Sequence, residues 1–345
     1  MLVQSAAGQA SDSSKGDDQR GGRARTVVHK TRQDRGHIQQ FPVTGKKGDQ
    51  MKAGFIGLGI MGRPMAKNLL KAGVEVVCAD LNKDAVADVV ANGAKEASYA
   101  EIGAECPVII TMVPSGDIVK SILFGEGGVA STIKAGALVC DMSSVTPVES
   151  QYCYEKLKEK GVGFVDAPVS GGEPGAIAGS LAIMCGGDQK DFDAMKSFFE
   201  ILGNSALLIG PSGSGSTAKL ANQMIVNNTI AVVSEAFVFA AKAGADPEKV
   251  YQAIRGGLAG SAVMDAKIPM IIDRNFKPGG PIRINHKDIK NCVNSAHAID
   301  APIPYTAQLY EIMQTLKIHG HMNDDHGGIV QYFEKLADCE VKRPE

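Results

Sequence analysis

Three things are scarce in this 345-residue chain, and each scarcity removes a class of function. Charge of one sign is nearly balanced away: 36 Lys and Arg stand against 38 Asp and Glu, a formal net charge of −2. No basic excess exists on which to rest a nucleic-acid partner. Cysteine pairs are missing as well. Cys78, Cys106, Cys140, Cys153, Cys185, Cys292 and Cys339 are scattered and never form a CxxC motif. That argues against a disulfide framework or a zinc site, and the expected metal complement is none. Long apolar runs are the third absence. No run reaches the roughly 18 residues needed to cross a bilayer, and the opening MLVQSAAGQASDSS lacks the apolar core of a secretory signal. The reading is a cytoplasmic protein with a small-molecule ligand, no nucleic acid and no membrane.

What is present has a clear order. Residues 1–50 are rich in Gly, Ser, Gln, Asp and Arg, with neither helical nor strand periodicity. Such a segment buries too little apolar surface to offset its ordering entropy, so a disordered extension is expected there. From Met51, β-rich runs (KAGFIG, VEVVCAD, PVIITMV, ALVCDMS, VGFVDAPV) alternate with helical stretches. This pattern predicts a doubly wound α/β domain with a mostly parallel sheet. GSLAIMCGG and SALLIG read as two further strands at its far end. After GPSGSGS the pattern changes to one apolar helix of nearly thirty residues, and the remainder is mostly helical. The expected division is therefore 51–212 for an α/β domain and 213–340 for a helical one.

The glycines of GLGIMG sit between the strand KAGFIG and a helix, the context in which this spacing acquires meaning. Gly57 permits the tight turn, Gly59 removes the Cβ that would block a pyrophosphate, and Gly62 lets the helix approach the strand. The free N–H groups at the helix start then face phosphates. The second strand ends in Asp80, placed to accept hydrogen bonds from an adenosine ribose. A carboxylate there repels a 2′-phosphate and Leu81 follows it, so NAD is favoured over NADP. Lys83 is the nearby cation that keeps NADP possible.

Two further constellations suggest chemistry. DAPVSGGEPGA places Ser170, Gly171 and Gly172 just after a strand, where a hydroxyl and unobstructed N–H groups can hold a carboxylate. Lys219, Asn222 and Gln223 lie at i, i+3 and i+4, so they share one face of the long apolar helix. Polar groups on a buried face need a partner or a task, which makes Lys219 a candidate proton donor. HGHMNDDH gathers metal-ligand types around His319, His321 and His326. Its Asp324 and Asp325 suit the cap of the helix that follows, the simpler reading.

GLGIMG, DMSSVTP, DAPVSGGEPGAIAGSL, GSGSTAKLANQ and the HKD of His286–Asp288 together resemble the signatures of the β-hydroxyacid dehydrogenase family. The similarity runs from Met51 onward. It implies an N-terminal Rossmann domain, an all-α C-terminal domain joined through a long interdomain helix, and an active site in the cleft between them. By position, Lys219 matches the family's catalytic lysine, and Ser170, Gly171 and Gly172 its substrate-carboxylate loop. Asn222 and Gln223 match substrate-lining positions. Leu58, Ile60 and Met61 fall within the cofactor loop, the run Thr111, Met112, Val113, Pro114 beneath the cofactor, and Ser144 and Lys287 beside the nicotinamide. The resemblance further implies a homodimer or homotetramer. GGEPGAI and RGGLAGS point to the family's semialdehyde-reducing branch, which usually has an aromatic residue where this chain has Gly280.

Overall fold

The computed structural model describes residues 51–343. The expected extension over 1–50 lies outside the described residues. Six strands run parallel: β1 (Lys52–Ile56), β2 (Glu75–Ala79), β3 (Lys95–Glu96), β4 (Val108–Thr111), β5 (Leu138–Asp141) and β6 (Gly163–Asp166). Their spatial order is β3-β2-β1-β4-β5-β6. That is the Rossmann order, with its switch point between β1 and β4. The far edge is mixed. β8 (Leu181–Gly187) lies antiparallel to β6 and to the two-residue β7 (Val169–Ser170), while β9 (Gly203–Gly210) extends the sheet parallel to β8.

Period-two alternation gives the sheet two cores. On β1, Phe55 enters one cluster with Leu69, Cys78 and Ile110, while its neighbour Ile56 enters the opposite one with Val77, Ile109 and Phe164. Helices cover both faces: α1 (Gly62–Lys71), α2 (Lys83–Val90), α3 (Tyr99–Glu105), α4 (Gly116–Phe124), α5 (Pro147–Lys158), α6 (Gly172–Ala178) and α7 (Gln189–Leu202). Local chemistry starts them sharply. Thr146 and Glu149 form a capping box on α5, with Pro147 in its first turn.

The remainder is helical: α8 (Ser214–Lys242), α9 (Pro247–Ile254), α10 (Ala262–Ile272), α11 (Ile282–His297), α12 (Pro304–Ile318) and α13 (Val330–Ala337). α8 has the length and composition of a membrane span, contrary to the expectation that no stretch would. Its scattered Lys, Asn and Gln break any uninterrupted apolar run without lowering the average enough to exclude one. Those same polar side chains, Lys219, Gln223 and Asn227, are buried where α8 packs on β8, α11 and α13, so it is built as a core helix. Along one side, Ile225, Val232 and Phe239 remain exposed at seven-residue intervals.

The start of α8 is tied to the sheet. Its N-cap, Gly213, has no side chain to offer, and Asp166 at the end of β6 substitutes for it. One carboxylate oxygen accepts from Gly213 N–H at 2.8 Å and the other from Ser216 N–H at 2.9 Å. The Ser216 hydroxyl also meets that of Ser150 on α5 at 2.8 Å.

Six of the seven cysteines are buried and all are free.

Candidate active site

At the switch point the chain leaves β1 through Gly57, whose φ of +100° belongs to the region that glycine alone enters readily. A Cβ on Gly57 would strike the Met112 carbonyl, and one on Gly62 would overlap the Gly57 carbonyl. At Gly59 a Cβ would meet nothing within 4 Å. That open space is where a diphosphate would pass, so the loop fits a dinucleotide. The contrast yields a test: Gly59→Ala should leave the melting temperature unchanged while raising the NADH Kd about tenfold or more, ~1.4 kcal/mol. Gly62→Ala should lower the melting temperature itself. Thermal melts and calorimetric titration check both.

Asp80 lies against this loop, accepting from Leu58 N–H at 2.5 Å and Asn82 N–H at 2.7 Å. Lys83 is engaged elsewhere, paired with Glu96 at 2.6 Å. The Thr111 hydroxyl turns inward and donates to Asp141 at 2.8 Å, while Ser143 Oγ accepts from Val113 N–H at 2.9 Å. These bonds set the path of the Thr111–Pro114 loop from behind. Burial pushes the Asp141 carboxyl up to about 6, against the bonds it accepts from Ser143 and Thr111.

The helical part supplies a connected polar group. Lys219 Nζ donates to Gln223 Oε1 at 2.8 Å, and Asn222 Nδ2 donates to the same oxygen at 3.1 Å. Gln223 Nε2 in turn donates to Asp288 Oδ2 at 2.6 Å and to Asn285 Oδ1 at 3.4 Å. Ser144 donates its hydroxyl to Asp288 Oδ1 at 2.8 Å. Lys287 Nζ pairs with that carboxylate at 2.8 Å and donates to the Ser144 carbonyl at 2.5 Å. The loop after β5 and the face of α11 are thereby joined to the Lys219 face of α8. Burial holds the Lys219 ammonium below the ordinary lysine range; Asp288 opposes this and Lys287 adds to it.

Five of the expected residues, Lys219, Asn222, Gln223, Ser144 and Lys287, thus form one network. Ser170 ends β7, Gly171 is the N-cap of α6 and Gly172 opens that helix, and no hydrogen bond among the described residues joins them to the network. The Ser170 hydroxyl has no protein partner among those residues, so it is open to a ligand. Within HKD, His286 leans away, bonded to Gln314 at 2.7 Å and stacked on Tyr310. Asp288, Asn285, Asp141, Ser143 and Asp166 escaped the sequence reading. Asp288 alone was findable, one residue after Lys287 in the same motif.

In HGHMNDDH the two aspartates differ. Asp325 caps the 3-10 turn His326–Ile329 through Gly327 N–H, pairs with Lys267 at 2.8 Å and accepts from Gly279 and Gly280 N–H. Asp324 instead binds the side chains of His321 and Gln331. No cluster suited to a metal ion occurs among the described residues.

A profile described as the NAD binding domain of 6-phosphogluconate dehydrogenase matches residues 52–210, and one described as NAD-binding of NADP-dependent 3-hydroxyisobutyrate dehydrogenase matches 213–333. The 2-hydroxy-3-oxopropionate reductase of Escherichia coli is 41% identical over 293 residues, covering 84% of this chain and 100% of that enzyme. The chain belongs to the β-hydroxyacid dehydrogenase family. A 2-(hydroxymethyl)glutarate dehydrogenase from Eubacterium barkeri is 35% identical over 84% of this chain and 97% of its own length. Among solved β-hydroxyacid dehydrogenases, 3-hydroxyisobutyrate dehydrogenase from Mycobacterium tuberculosis superposes with a TM-score of 0.76 at 27% identity, over 82% of this chain and 99% of its own. The protein is accordingly an NAD(P)-dependent oxidoreductase with the family's Rossmann and helical parts.

Proposed function

We propose that this β-hydroxyacid dehydrogenase is a 2-hydroxy-3-oxopropionate (tartronate semialdehyde) reductase that uses NADH and forms glycerate. The observation that carries the reading is the buried Lys219 ammonium, held by Gln223 and within the field of Asp288. The 41% identity over the whole length of the Escherichia coli reductase supports the substrate.

Residues 51–212 bind the dinucleotide through Gly57–Gly62, Asp80, Thr111–Pro114, Ser144 and Lys287. Residues 213–340 complete the substrate pocket. When bound, the reduced nicotinamide supplies the hydride for the aldehyde carbon. Ser170, Gly171 and Gly172 hold the substrate carboxylate, while Asn222 and Gln223 line the pocket. Lys219 Nζ gives its proton to the oxygen that becomes the new hydroxyl, so each turnover takes up one proton. An ammonium at that oxygen both donates and stabilises the developing negative charge. Asp80 at the ribose end, with Lys83 paired to Glu96, supports NADH over NADPH.

The test is a substrate panel with each cofactor. Tartronate semialdehyde should have a kcat/KM at least about tenfold above those of methylmalonate semialdehyde and 2-formylglutarate, with NADH preferred. A preference for either rival substrate would reassign the enzyme within its family.

A further inference from the structure

One imidazole beside the site has no assigned task. His326 Nδ1 is buried without a hydrogen-bond partner, and Nε2 has none among the described residues. The 3-10 turn that carries it packs against α8 and α11, which carry the Lys219 group, and against α10. A Cβ placed on Gly280 would stand 3.7 Å from His326 Nε2 and 3.9 Å from Asn285 Nδ2, so glycine leaves this corner open. Asn285 is joined through Gln223 to Lys219.

The electrostatics fit a hydrogen-bonding task and not an acid–base one. Burial, with the cations Lys267 and Lys219, pushes His326 down to about 4, against Asp325. The ring therefore stays neutral at physiological pH, with one N–H donor and one lone pair. Leaving Nε2, which faces the Gly280 corner, unmet is unfavourable unless a ligand group completes it. With the carboxylate assigned to the Ser170 loop and the aldehyde oxygen to Lys219, a 2-hydroxy-3-oxo acid has one polar group left over.

Resting on the functional reading above, we propose that His326 is a specificity residue that hydrogen-bonds the substrate hydroxyl on the carbon between carboxylate and aldehyde. It selects hydroxyl-bearing semialdehydes over those with an alkyl group at that carbon.

The experiment compares kcat/KM for tartronate semialdehyde and for methylmalonate semialdehyde, which carries a methyl group in place of the hydroxyl. Wild type should prefer the hydroxyl substrate. His326→Leu should lower the ratio about 10- to 100-fold, mainly through the hydroxyl substrate, with the NADH Kd unchanged. His326→Asn, which keeps a donor and an acceptor, should recover most of the ratio and stands in if the leucine variant does not fold. A wild-type preference for the methyl substrate overturns the inference without any variant. Variants that bind NADH normally but lose both activities equally, or keep the wild-type ratio, overturn it while leaving the functional reading intact. A wild type that reduces neither semialdehyde overturns the functional reading, and the inference falls with it.

Discussion

Lys219→Ala is expected to lower kcat for aldehyde reduction by ~10²- to 10⁴-fold, the range that a positioned general acid supplies. The NADH Kd should stay close to wild type, because the proposed diphosphate contacts come from the Gly57–Gly62 loop and not from α8. The pH profile separates a proton donor from a passive charge. With Lys219 in the proposed role reduction needs it protonated, and burial lowers its pKa from 10.5. Reduction should therefore fall as pH rises through a value below that of ordinary lysine, whereas oxidation of glycerate, which needs the neutral amine, should fall as pH drops through the same value. Asp288 favours the ammonium, so Asp288→Asn should move both limbs to lower pH. Near-normal turnover of the alanine variant, measured by steady-state NADH oxidation, would remove Lys219 from the chemistry.

Asp166→Asn should have the second-largest effect, on stability and turnover together. The carboxylate accepts from both Gly213 and Ser216. Asparagine keeps one acceptor and turns an N–H toward the other donor, a loss of about 1–3 kcal/mol. Burial pushes the Asp166 carboxyl up to about 7 from 3.8. A folded-state pKa raised in this way contributes stability that is complete below the unfolded value and is lost as pH rises through about 7. The deficit of the variant should thus be largest near pH 4 and narrow above pH 7. Asp141 titrates over the same range, so the comparison must be variant against wild type and not one slope alone. At temperatures where the variant is folded, kcat should fall about tenfold while the NADH Kd holds, because Ser216 lies one turn before Lys219. Denaturant melts across pH, with kinetics at low temperature, check both parts.

The α/β alternation and the glycine loop were legible because their signals are local. Three glycines, a strand before and a helix after all lie within about twenty residues, and Asp80 closes the motif. The Lys219, Asn222 and Gln223 face was legible for the same reason, from helical spacing alone. The partners of that face were not. Asp288 meets Gln223 across 65 residues of chain and Ser144 across 144, and neither spacing nor propensity encodes such a pairing. Asp166 read as the ordinary end of a strand; its task appears only once α8 starts beside it. The strand GSLAIMCGG was legible as β8, but its antiparallel direction was not, and β7 escaped altogether because a two-residue strand has too little alternation to detect. His326 was hidden by its neighbours: a capping role read for Asp324 and Asp325 accounted for the segment, and the histidine that follows them was passed over.

Anchoring α8 through Asp166 and Ser150 places its first turn with the sheet although the rest of the helix belongs to the other half. Lys219 is only three residues beyond Ser216, about 4.5 Å along the axis, whereas the far end at Lys242 is ~40 Å away. If the helical half rocks about this pivot, Lys219 sits near the fulcrum and is displaced little. The outer turns sweep the long arc, so the helical half can swing without dismantling the hydrogen-bonded group around Lys219.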